Sequence, residues 1–490
     1  LTTPTDGKKW TYSVWVKRGI LTAGTGTAQQ LLSAGSATAI FRFSTTDTLV
    51  SGWTGASNLE TTQVFRDPSA WYHIMLVVDT TQATSSNRVK YYVNGTQITA
   101  FATTDYPTQN STTTINSAVA HNIGAYTSST QYFDGYLTEI NFIDGQALTP
   151  SSFGETNAVT GVWQAKKYSG TYGTNGFYLN FSDNSSNTAT TIGKDYSGNG
   201  NNWTPNNISV TSGVTYDSMI DSPTVSASSS NYAVINPLKV VGSVAGGNLN
   251  GTTTGTSGVA GYWFSTIGVT SGKWYFETTI GTLATNSYVG VYGDPNNAAT
   301  DYAEYQLNGG TWFTTVGGSG SFSATATTND VLGVAVDITS GTFQIYKNGT
   351  SLGTITGITF TGKTWFFGAL TNAAVSSAWS FNFGQRPFSY TPPSGFNALN
   401  TQNLSAGTIT TSGSFTGNAS ADGPFVYLNG VPTAMTINGN AVTFGTHADK
   451  TANGFKVRSS SSSYNASGSN TYSISTTGAK FKYANAQGNP

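Results

Sequence analysis

Hydrophobic residues in the first third of the chain recur with the two-residue period of β-strands. Trp10–Val16 alternates aromatic or branched residues with small polar ones, and Gly135–Ile143 does the same. Trp71–Asp79 is a nearly continuous apolar run, the pattern of a strand buried in the core. Gly, Asn, Asp and Ser separate these runs, and no stretch has the period of a long amphipathic helix. The pattern predicts a sandwich of short strands.

A second set of strand patterns follows, and each set contains a strand that runs into Asn-Gly-Thr, at Tyr91–Thr96 and at Ile345–Thr350. Asn and Gly both tolerate positive φ, so these dipeptides predict type I′ hairpins. Without an exact internal repeat, the chain is predicted to hold two sandwiches of related architecture and not a solenoid. The strands predicted for the second set are Trp274–Ile280, Tyr288–Tyr292, Val331–Ile338, Thr342–Lys347, Trp365–Leu370 and Trp379–Gly384.

Polar, glycine-rich sequence separates the predicted units. Roughly Ser182–Asn231 is dominated by Ser, Thr, Asn, Gly and Asp, which predicts a long linker or loops that cover a neighbour. A break at Tyr390–Phe396 ends the second set. The rest of the chain predicts a small third β unit, with strands at Phe425–Leu428, Ala441–Phe444, Gly454–Val457 and Thr471–Ser475.

Composition excludes several classes of protein. The 490-residue chain has no cysteine, so disulfides and thiolate metal sites are excluded. Only 9% of residues are charged and the net charge is −1, which gives no electrostatic case for binding nucleic acid or an anionic membrane. An aromatic content of 13% argues against disorder. No run approaches the roughly 20 apolar residues of a membrane span. The chain begins at Leu1 instead of Met, which leaves processing or a preceding segment open.

The carboxylates do not predict an active site. A retaining glycosidase needs two carboxyl groups about 5–5.5 Å apart, which on one strand requires neighbours at i+2 or i+4. Glu139, Glu277 and Glu304 each lack such a neighbour. Asp301 and Glu304 are interpreted as a solvated pair in a loop. We therefore predict that the protein is not an enzyme.

Metal and cofactor sites are not predicted either. Asp195–Asn202 offers oxygen ligands and glycine turns that calcium accepts, but its one carboxylate, Asp195, favours a turn-forming loop over a tight site. Calcium near Asp195 stays as a weak alternative. The histidines are far apart in sequence and are interpreted as structural or surface residues: His73, His121 and His447.

Glycan binding is the most specific function that the side chains suggest. Sugars stack on aromatic faces and hydrogen-bond to Asn, Asp and backbone groups. Aromatic residues in sandwiches mostly fill the core, as expected for Trp274 and Trp379, so a core position is the alternative for each candidate. The candidate platforms are the loop-like residues Trp53, Trp203, Tyr302 and Trp312.

Residues of the first segment resemble the laminin-G-like, concanavalin A-like jelly roll. The resemblance rests on Trp10–Arg18, Trp71–Asp79, the Tyr91–Thr96 hairpin and the closing sequence Phe133–Ile140, followed by Ala147–Pro150. In that family the closing sequence forms a core strand at the end of the sandwich. The resemblance implies a two-sheet jelly roll for this part of the chain.

The second segment resembles a SPRY domain, a second type of β-sandwich. Its matching residues are Gly272–Glu277, Val289–Val291, Asp330–Asp337, Phe343–Gly349, Trp379–Gly384, Pro387 and Phe388. The combination of domains resembles structural or fibre-like proteins of tailed phages, particularly marine ones. Four local sequences support that resemblance: Gly193–Thr204, Gln385–Asn400, Asp422–Tyr427 and Phe481–Asn485.

These observations predict an all-β chain of tandem sandwiches: a laminin-G-like jelly roll at 1–180, a linker or wrapping segment at 181–224, a SPRY-like sandwich at 225–400 and a small β domain at 401–490. The predicted function is a virion structural protein, a tail or head fibre or decoration protein, that binds host surface glycans or other virion proteins as a homo-oligomer. A microbial extracellular adhesin or filament subunit is the alternative, followed by a glycan depolymerase. The predicted location is the virion surface, or the cell surface for the alternative.

Overall fold

The structure is a computed structural model that describes residues 1–404, except 22–25, 36–38, 54–57, 127–129, 158–160, 225–229, 255–260, 294–300, 316–317 and 372–375, and six strands beyond residue 404. Its described residues form β-strands and three short 3-10 helices, with no α-helix among them. The predicted all-β class is confirmed. The 3-10 helices span Ser85–Asn87, Pro150–Ser152 and Pro237–Lys239.

The first sandwich consists of two six-stranded antiparallel sheets. Their strands are β1 (Lys9–Arg18), β2 (Gln29–Ala34), β3 (Ile40–Phe43), β4 (Thr48–Gly52), β5 (Asn58–Val64), β6 (Trp71–Asp79), β7 (Val89–Val93), β8 (Thr96–Ile98), β9 (Phe101–Thr104), β10 (His121–Ile123), β11 (Gly135–Asp144) and β14 (Phe177–Leu179). One sheet has the order β14-β11-β1-β6-β7-β8, and the other has the order β10-β2-β3-β4-β5-β9.

Alternating side chains of β1 pack in the core of this sandwich. Trp10, Tyr12 and Val14 are fully buried in the core between the sheets. The Trp10 indole N–H donates to Thr113 Oγ1 at 2.8 Å, which satisfies its one polar atom inside the core. The outer face of the β1 sheet is also covered, because Met75 and Ile143 pack with rings from residues 153–178. Each burial follows from the two-residue period of the strands.

The second sandwich also has two sheets, which are antiparallel except that β28 runs parallel to β18. Its strands are β15 (Ser243–Ala245), β16 (Asn250–Thr254), β17 (Gly261–Val269), β18 (Lys273–Thr282), β19 (Ser287–Tyr292), β20 (Tyr302–Gln306), β21 (Thr311–Thr314), β22 (Gly318–Ser321), β23 (Val331–Asp337), β24 (Thr342–Lys347), β25 (Thr350–Ile355), β26 (Trp365–Thr371), β27 (Ser376–Asn382) and β28 (Asn397–Ala398). The larger sheet has the order β15-β16-β27-β18-β23-β24-β25, with β28 beside β18. The smaller has the order β17-β26-β19-β20-β21-β22.

Aromatic rings join the two sheets of the second sandwich. Phe276 of β18 meets Phe367 of β26 edge-on at 5.7 Å between ring centroids. Phe383 stacks on the same Phe276 ring at 5.7 Å. All three rings are at most 1% exposed, so this contact defines the core and the opposite face of each sheet is outward.

Residues 181–231 contain no strand or helix in their described part, yet they pack closely against the sandwiches. Trp203 lies edge-on against Phe177 at 4.8 Å. Asp221 and Asn231 both accept hydrogen bonds from the buried Lys17 ammonium of β1. Through this ring contact and these hydrogen bonds, the segment forms a packed connection between the sandwiches.

The chain divides into two compact units. Both sandwiches belong to the first, formed by Leu1–Gly154 and Ala165–Ser405. The second comprises Glu155–Gln164 and Ala406–Pro490. A two-stranded ribbon pairs β12 (Gly154–Thr156) with β13 (Trp163–Ala165). The C-terminal strands form two three-stranded sheets, β29-β34-β33 and β30-β31-β32, with bounds Phe425–Tyr427, Met435–Ile437, Asn440–Phe444, Val457–Ser459, Tyr472–Ser475 and Gly478–Phe481 for β29 to β34.

Candidate functional site

The outward face of the smaller sheet in the second sandwich is rich in aromatic residues, and we call it the aromatic face. The strand register places Tyr292 opposite Tyr302 and places Glu304 opposite both Gly290 and Phe313. Residues that lie opposite one another on neighbouring antiparallel strands share a face, so these side chains project together. The intervening residues, such as Val291 and Ala303, are fully buried on the core side.

Half-buried rings surround the centre of this face. The outward face of an antiparallel sheet usually carries polar residues, so the aromatic residues of this face are unusual, and their partial burial leaves part of each ring accessible. Two glycines paired across β19 and β26, Gly290 and Gly368, leave its middle without side chains of their own. The rings of Phe264 and Tyr292 meet nearby at 4.8 Å and are nearly fully buried. The half-buried members of the aromatic face are Tyr262, Tyr288, Tyr302, Phe313 and Phe366.

Glu304 is the one acidic side chain within the aromatic face as described. It is 7% exposed, and burial raises its pKa to about 7, with a smaller opposing effect of the Tyr292 hydroxyl. The Tyr292 hydroxyl interacts with this carboxyl group, and neither Glu304 Oε2 nor the Tyr292 hydroxyl has a hydrogen bond to any other described residue. Buried polar groups with so few partners are uncommon and costly, so the Glu304–Tyr292 pair is the polar centre of this face. An ionised carboxylate between aromatic rings can accept hydroxyl groups while the rings stack on apolar faces.

The structure places the four predicted platform residues in different surroundings. Tyr302 lies on the aromatic face. Trp312 of the neighbouring strand is opposite Tyr305 and points the other way, where it packs near Phe322. Trp53 is 2% exposed in the core of the first sandwich, so it offers no ring face to a sugar. These residues do not come together as one site.

Trp203, the fourth predicted platform, belongs to the first sandwich. It is half-buried and packs on the hydrophobic core beside Phe177. This contact gives the indole a structural role that accounts for its position. The sequence interpretation of Trp203 as a platform therefore gains no support from its surroundings.

Glu304 corrects one sequence expectation. The predicted solvated pair with Asp301 is wrong, because Glu304 lies within β20 and is buried. Asp301 forms an ion pair with Lys363 instead. Sequence reasoning missed Glu304, Tyr262, Tyr288 and Phe313. The alternating pattern in Ser287–Tyr292 and Tyr302–Gln306 could have revealed them. In these strands, large residues occupy both sets of alternating positions, so they lie on both faces of the sheet.

The other carboxylates considered for catalysis are engaged in structure. Glu277 accepts from the backbone N–H groups of Ser389 at 2.7 Å and Tyr390 at 2.9 Å. Glu139 accepts from the Tyr178 hydroxyl at 2.7 Å. Burial raises the pKa of both carboxyl groups. These bonds assign both residues to the packing of covering segments.

The two described histidines belong to the first sandwich, where His73 is buried and His121 is half-buried. His73 stacks on Trp15 at 5.0 Å and its Nε2 lies 2.8 Å from Ser13 Oγ, and burial lowers its pKa to about 3. His121 lies 2.9 Å from the Val119 carbonyl through Nδ1, and burial lowers its pKa to about 4. Both are therefore neutral at pH 7. The third, His447, lies outside the described residues.

Asp195 accepts hydrogen bonds within the Asp195–Asn202 loop, where calcium binding was the alternative interpretation. Its Oδ1 accepts from the N–H groups of Tyr178 and Ser197, and its Oδ2 accepts from Ser197 Oγ and the Asn201 N–H. A carboxylate offers about four acceptor positions, so a cation would have to displace these bonds. Within the described ranges, no group of three or more His, Asp or Glu side chains could hold a metal ion.

Comparisons with known proteins agree with the first sandwich. The profile of the concanavalin A-like lectin/glucanases superfamily matches residues 2–152. No curated protein sequence matches the chain. The resemblance of residues 1–180 to the concanavalin A-like jelly roll is thus confirmed for the part that the profile covers, and β-sandwiches of this type indicate a binding function. Among the described residues, none of the helices has the length and apolar character to cross a bilayer.

Similar solved structures include SPRY domains. The SPRY domain of human HERC1 is 19% identical, with 30% of this chain and 96% of that chain covered and a TM-score of 0.27. A human SPRY domain is 15% identical, with 29% and 94% covered and a TM-score of 0.23. Stonustoxin is 16% identical over 31% of this chain and 27% of its own length, with a TM-score of 0.25.

Proposed function

We propose that this protein is a non-enzymatic adhesive structural protein of a tailed-phage particle that binds glycans of the host surface. The aromatic face around Glu304 carries the proposal, because it joins stacking surfaces to a buried carboxyl group whose described partner is the Tyr292 hydroxyl. The concanavalin A-like match of residues 2–152 supports a lectin-like role. The phage assignment is supported by the sequence resemblance alone.

Binding at such a face is weak for a single copy, since a few stacked rings bury little area. Display of several copies on one particle converts weak contacts into strong attachment through effective concentration. We therefore include a homo-oligomer in the proposal, with other virion proteins as neighbours. The low content of charged residues, 9%, suits sandwiches that pack against one another without large repulsion.

Glycan binding is tested by saturation-transfer NMR of the full chain with neutral oligosaccharides of glucose, mannose and galactose. Tyr302→Ala is expected to weaken binding at least tenfold, and Glu304→Gln is expected to weaken it at pH 8, where the native carboxylate is ionised. Tyr132→Ala is the matched control, because Tyr132 is 58% exposed on the first sandwich. Equal binding by wild type and Tyr302→Ala would contradict a site at this face.

The particle assignment needs a separate experiment. Purified virions of the source are expected to contain this chain when their proteins are identified by mass spectrometry and located by antibody labelling. Labelling of a cell surface or of extracellular filaments would favour the adhesin or filament-subunit alternative. Release of reducing ends from a polysaccharide by the purified chain would favour the depolymerase alternative over a non-enzymatic role.

A further inference from the structure

A cleft opens on the outward face of the larger sheet in the second sandwich. Its floor comprises side chains that share this face, because Glu277 is opposite Asn382 and Thr279 is opposite Ser380 in the register of β18 and β27. Its walls are formed by Gly213 and Val214 of the connecting segment and by Arg386, Pro387 and Ser389. Its volume is about 150 Å³.

Residues 385–389, which include one wall of the cleft, are nearly all held in place by contacts with the rest of the sandwich. Gln385 Nε2 donates to the Ala233 carbonyl at 3.0 Å, and its Oε1 accepts from the Phe383 N–H at 2.8 Å. Phe388 lies edge-on against Tyr275 at 5.0 Å. The Ser389 N–H is bound by Glu277. These contacts fasten the segment over the sheet and leave the side chain of Arg386 to be explained.

Arg386 is a buried cation with one side-chain hydrogen bond. Its side chain lines the cleft, the residue is 6% exposed, and Nη1 donates to Ser380 Oγ at 3.2 Å. Its Nε is buried without a partner, and none of the ion pairs among the described residues includes Arg386. A guanidinium has five N–H donors and stays charged in proteins. Burying such a charge without an anion is costly, so the cleft lacks an acceptor that binding would supply.

The neighbouring groups do not replace that anion. Burial lowers the pKa of Arg386, and Tyr136 and Asp217 oppose that shift, but no ion pair joins Asp217 to Arg386. The Glu277 carboxylate is already bound to two backbone N–H groups and to the Tyr275 hydroxyl. The cleft that Arg386 lines also carries the hydroxyl groups of Thr279 and Ser380, whereas the Asn382 amide donates to the Pro387 carbonyl and accepts from the Gly384 N–H.

We propose that this cleft binds the carboxylate of an acidic sugar, a uronic acid residue, with Arg386 as its anchor. The planar guanidinium fork matches a carboxylate in two parallel hydrogen bonds. Thr279 and Ser380 supply hydroxyl groups that can bind the ring hydroxyls, and Val214 supplies an apolar wall. The choice of a sugar rests on the proposed glycan-binding function, whereas the need for an oxyanion rests on Arg386 alone.

The test compares two ligands that differ only in the carboxylate. Binding of methyl β-D-glucuronide and methyl β-D-glucoside to the full chain is measured by saturation-transfer NMR and calorimetry. The glucuronide is expected to bind at least tenfold more tightly than the glucoside. Arg386→Gln is expected to remove that preference and Arg386→Lys to retain part of it, whereas Lys90→Gln, which makes the same change of charge on the first sandwich, leaves it unchanged.

Each other outcome overturns the proposal or part of it. Equal affinity for the two glycosides, or an unchanged preference in Arg386→Gln, would overturn the site. Sulfate or acetate that competes as well as the glucuronide would overturn the assignment to a sugar. If Arg386→Gln and Lys90→Gln lost the preference for the glucuronide equally, the preference would be due to net charge and not to a site at Arg386. Because neutral oligosaccharides are bound at Tyr302 under the proposed function, their retained binding would show that only the inference about Arg386 has failed.

Discussion

The ammonium group of Lys17 and the carboxylate of Asp221 form an ion pair of 2.6 Å in which both side chains are completely buried. Lys17 belongs to β1 of the first sandwich, and its Nζ also donates to Asn231 Oδ1 and the Tyr232 carbonyl, each at 2.7 Å. The other Asp221 oxygen accepts from the Trp71 indole at 2.9 Å. One cation thus joins the first sandwich to the connecting segment and to the start of the second.

Removing one partner of this ion pair should destabilise the first compact unit. Asp221→Asn leaves the Lys17 charge buried without its anion, a situation that typically costs about 3–5 kcal/mol. We expect a lower free energy of unfolding by urea and faster proteolysis between the sandwiches. The double variant Lys17→Met with Asp221→Leu should recover much of the loss, because an apolar pair needs no desolvation of charge. A double variant as unstable as Asp221→Asn would show that the hydrogen bonds to Asn231 and Trp71 dominate.

The strands that sequence reasoning found best are those with strong period-two or continuous apolar patterns. Trp71–Asp79 was predicted with the bounds that β6 has, and Thr342–Lys347 with those of β24. Strands such as Gly318–Ser321 were missed because Gly and Ser carry no hydrophobic signal. In the C-terminal unit, Gly454–Val457 was predicted too early, since the strand in the structure is Val457–Ser459.

The site was harder to predict than the fold. A short stretch that contains Asp301 and Glu304 looks polar, but the pairing of β19 with β20 buries Glu304 among rings that are distant in sequence. Arg386 was noted only within a longer motif, because its missing partner is visible only when its neighbours are placed around it. Both sites are formed by the pairing of strands that are distant in sequence, and the local sequence pattern does not reveal that pairing.

The two Asn-Gly turns predicted from sequence allow a matched test. Asn94 and Gly95 have φ values of 48° and 81°, and Asn348 and Gly349 have φ values of 48° and 79°, which confirms the left-handed conformation at both hairpins. Gly95→Ala should cost roughly 1–2 kcal/mol from positive φ alone. Gly349→Ala should cost more, since its added Cβ would meet Tyr390 Cδ1 at 2.5 Å.

The measurement for this pair is the free energy of unfolding by urea, with circular dichroism and tryptophan fluorescence as probes. The two alanine variants serve as controls for each other, because their backbone strain is nearly the same. A loss in Gly349→Ala equal to or smaller than that in Gly95→Ala would show that the Tyr390 ring moves aside without cost.

Trp203 separates a structural role from a binding role. Its indole packs on Phe177, so Trp203→Ala should lower the free energy of unfolding by about 2 kcal/mol, less than a fully buried tryptophan would lose. Binding of neutral oligosaccharides should be unchanged, because Trp203 lies on the first sandwich, away from Tyr302. Urea unfolding and saturation-transfer NMR on the same samples measure both quantities. Loss of binding without loss of stability would restore Trp203 as a platform.

Glu304 should make the stability of the protein depend on pH near neutrality. Burial raises its pKa from 4.5 to about 7, so the folded chain holds a proton that the unfolded chain has released between these values. The free energy of unfolding must therefore fall as pH rises from about 4.5 to 7, and the shift corresponds to roughly 3 kcal/mol. Glu304→Gln cannot ionise, so it should lack this decline and exceed the wild type in stability at pH 8. Urea unfolding at pH 4 to 8 tests this, with Tyr132→Ala expected to follow the wild type. Parallel curves for Glu304→Gln and wild type would mean that the carboxylate is solvated or paired in solution, and the aromatic face would then lose its buried acceptor.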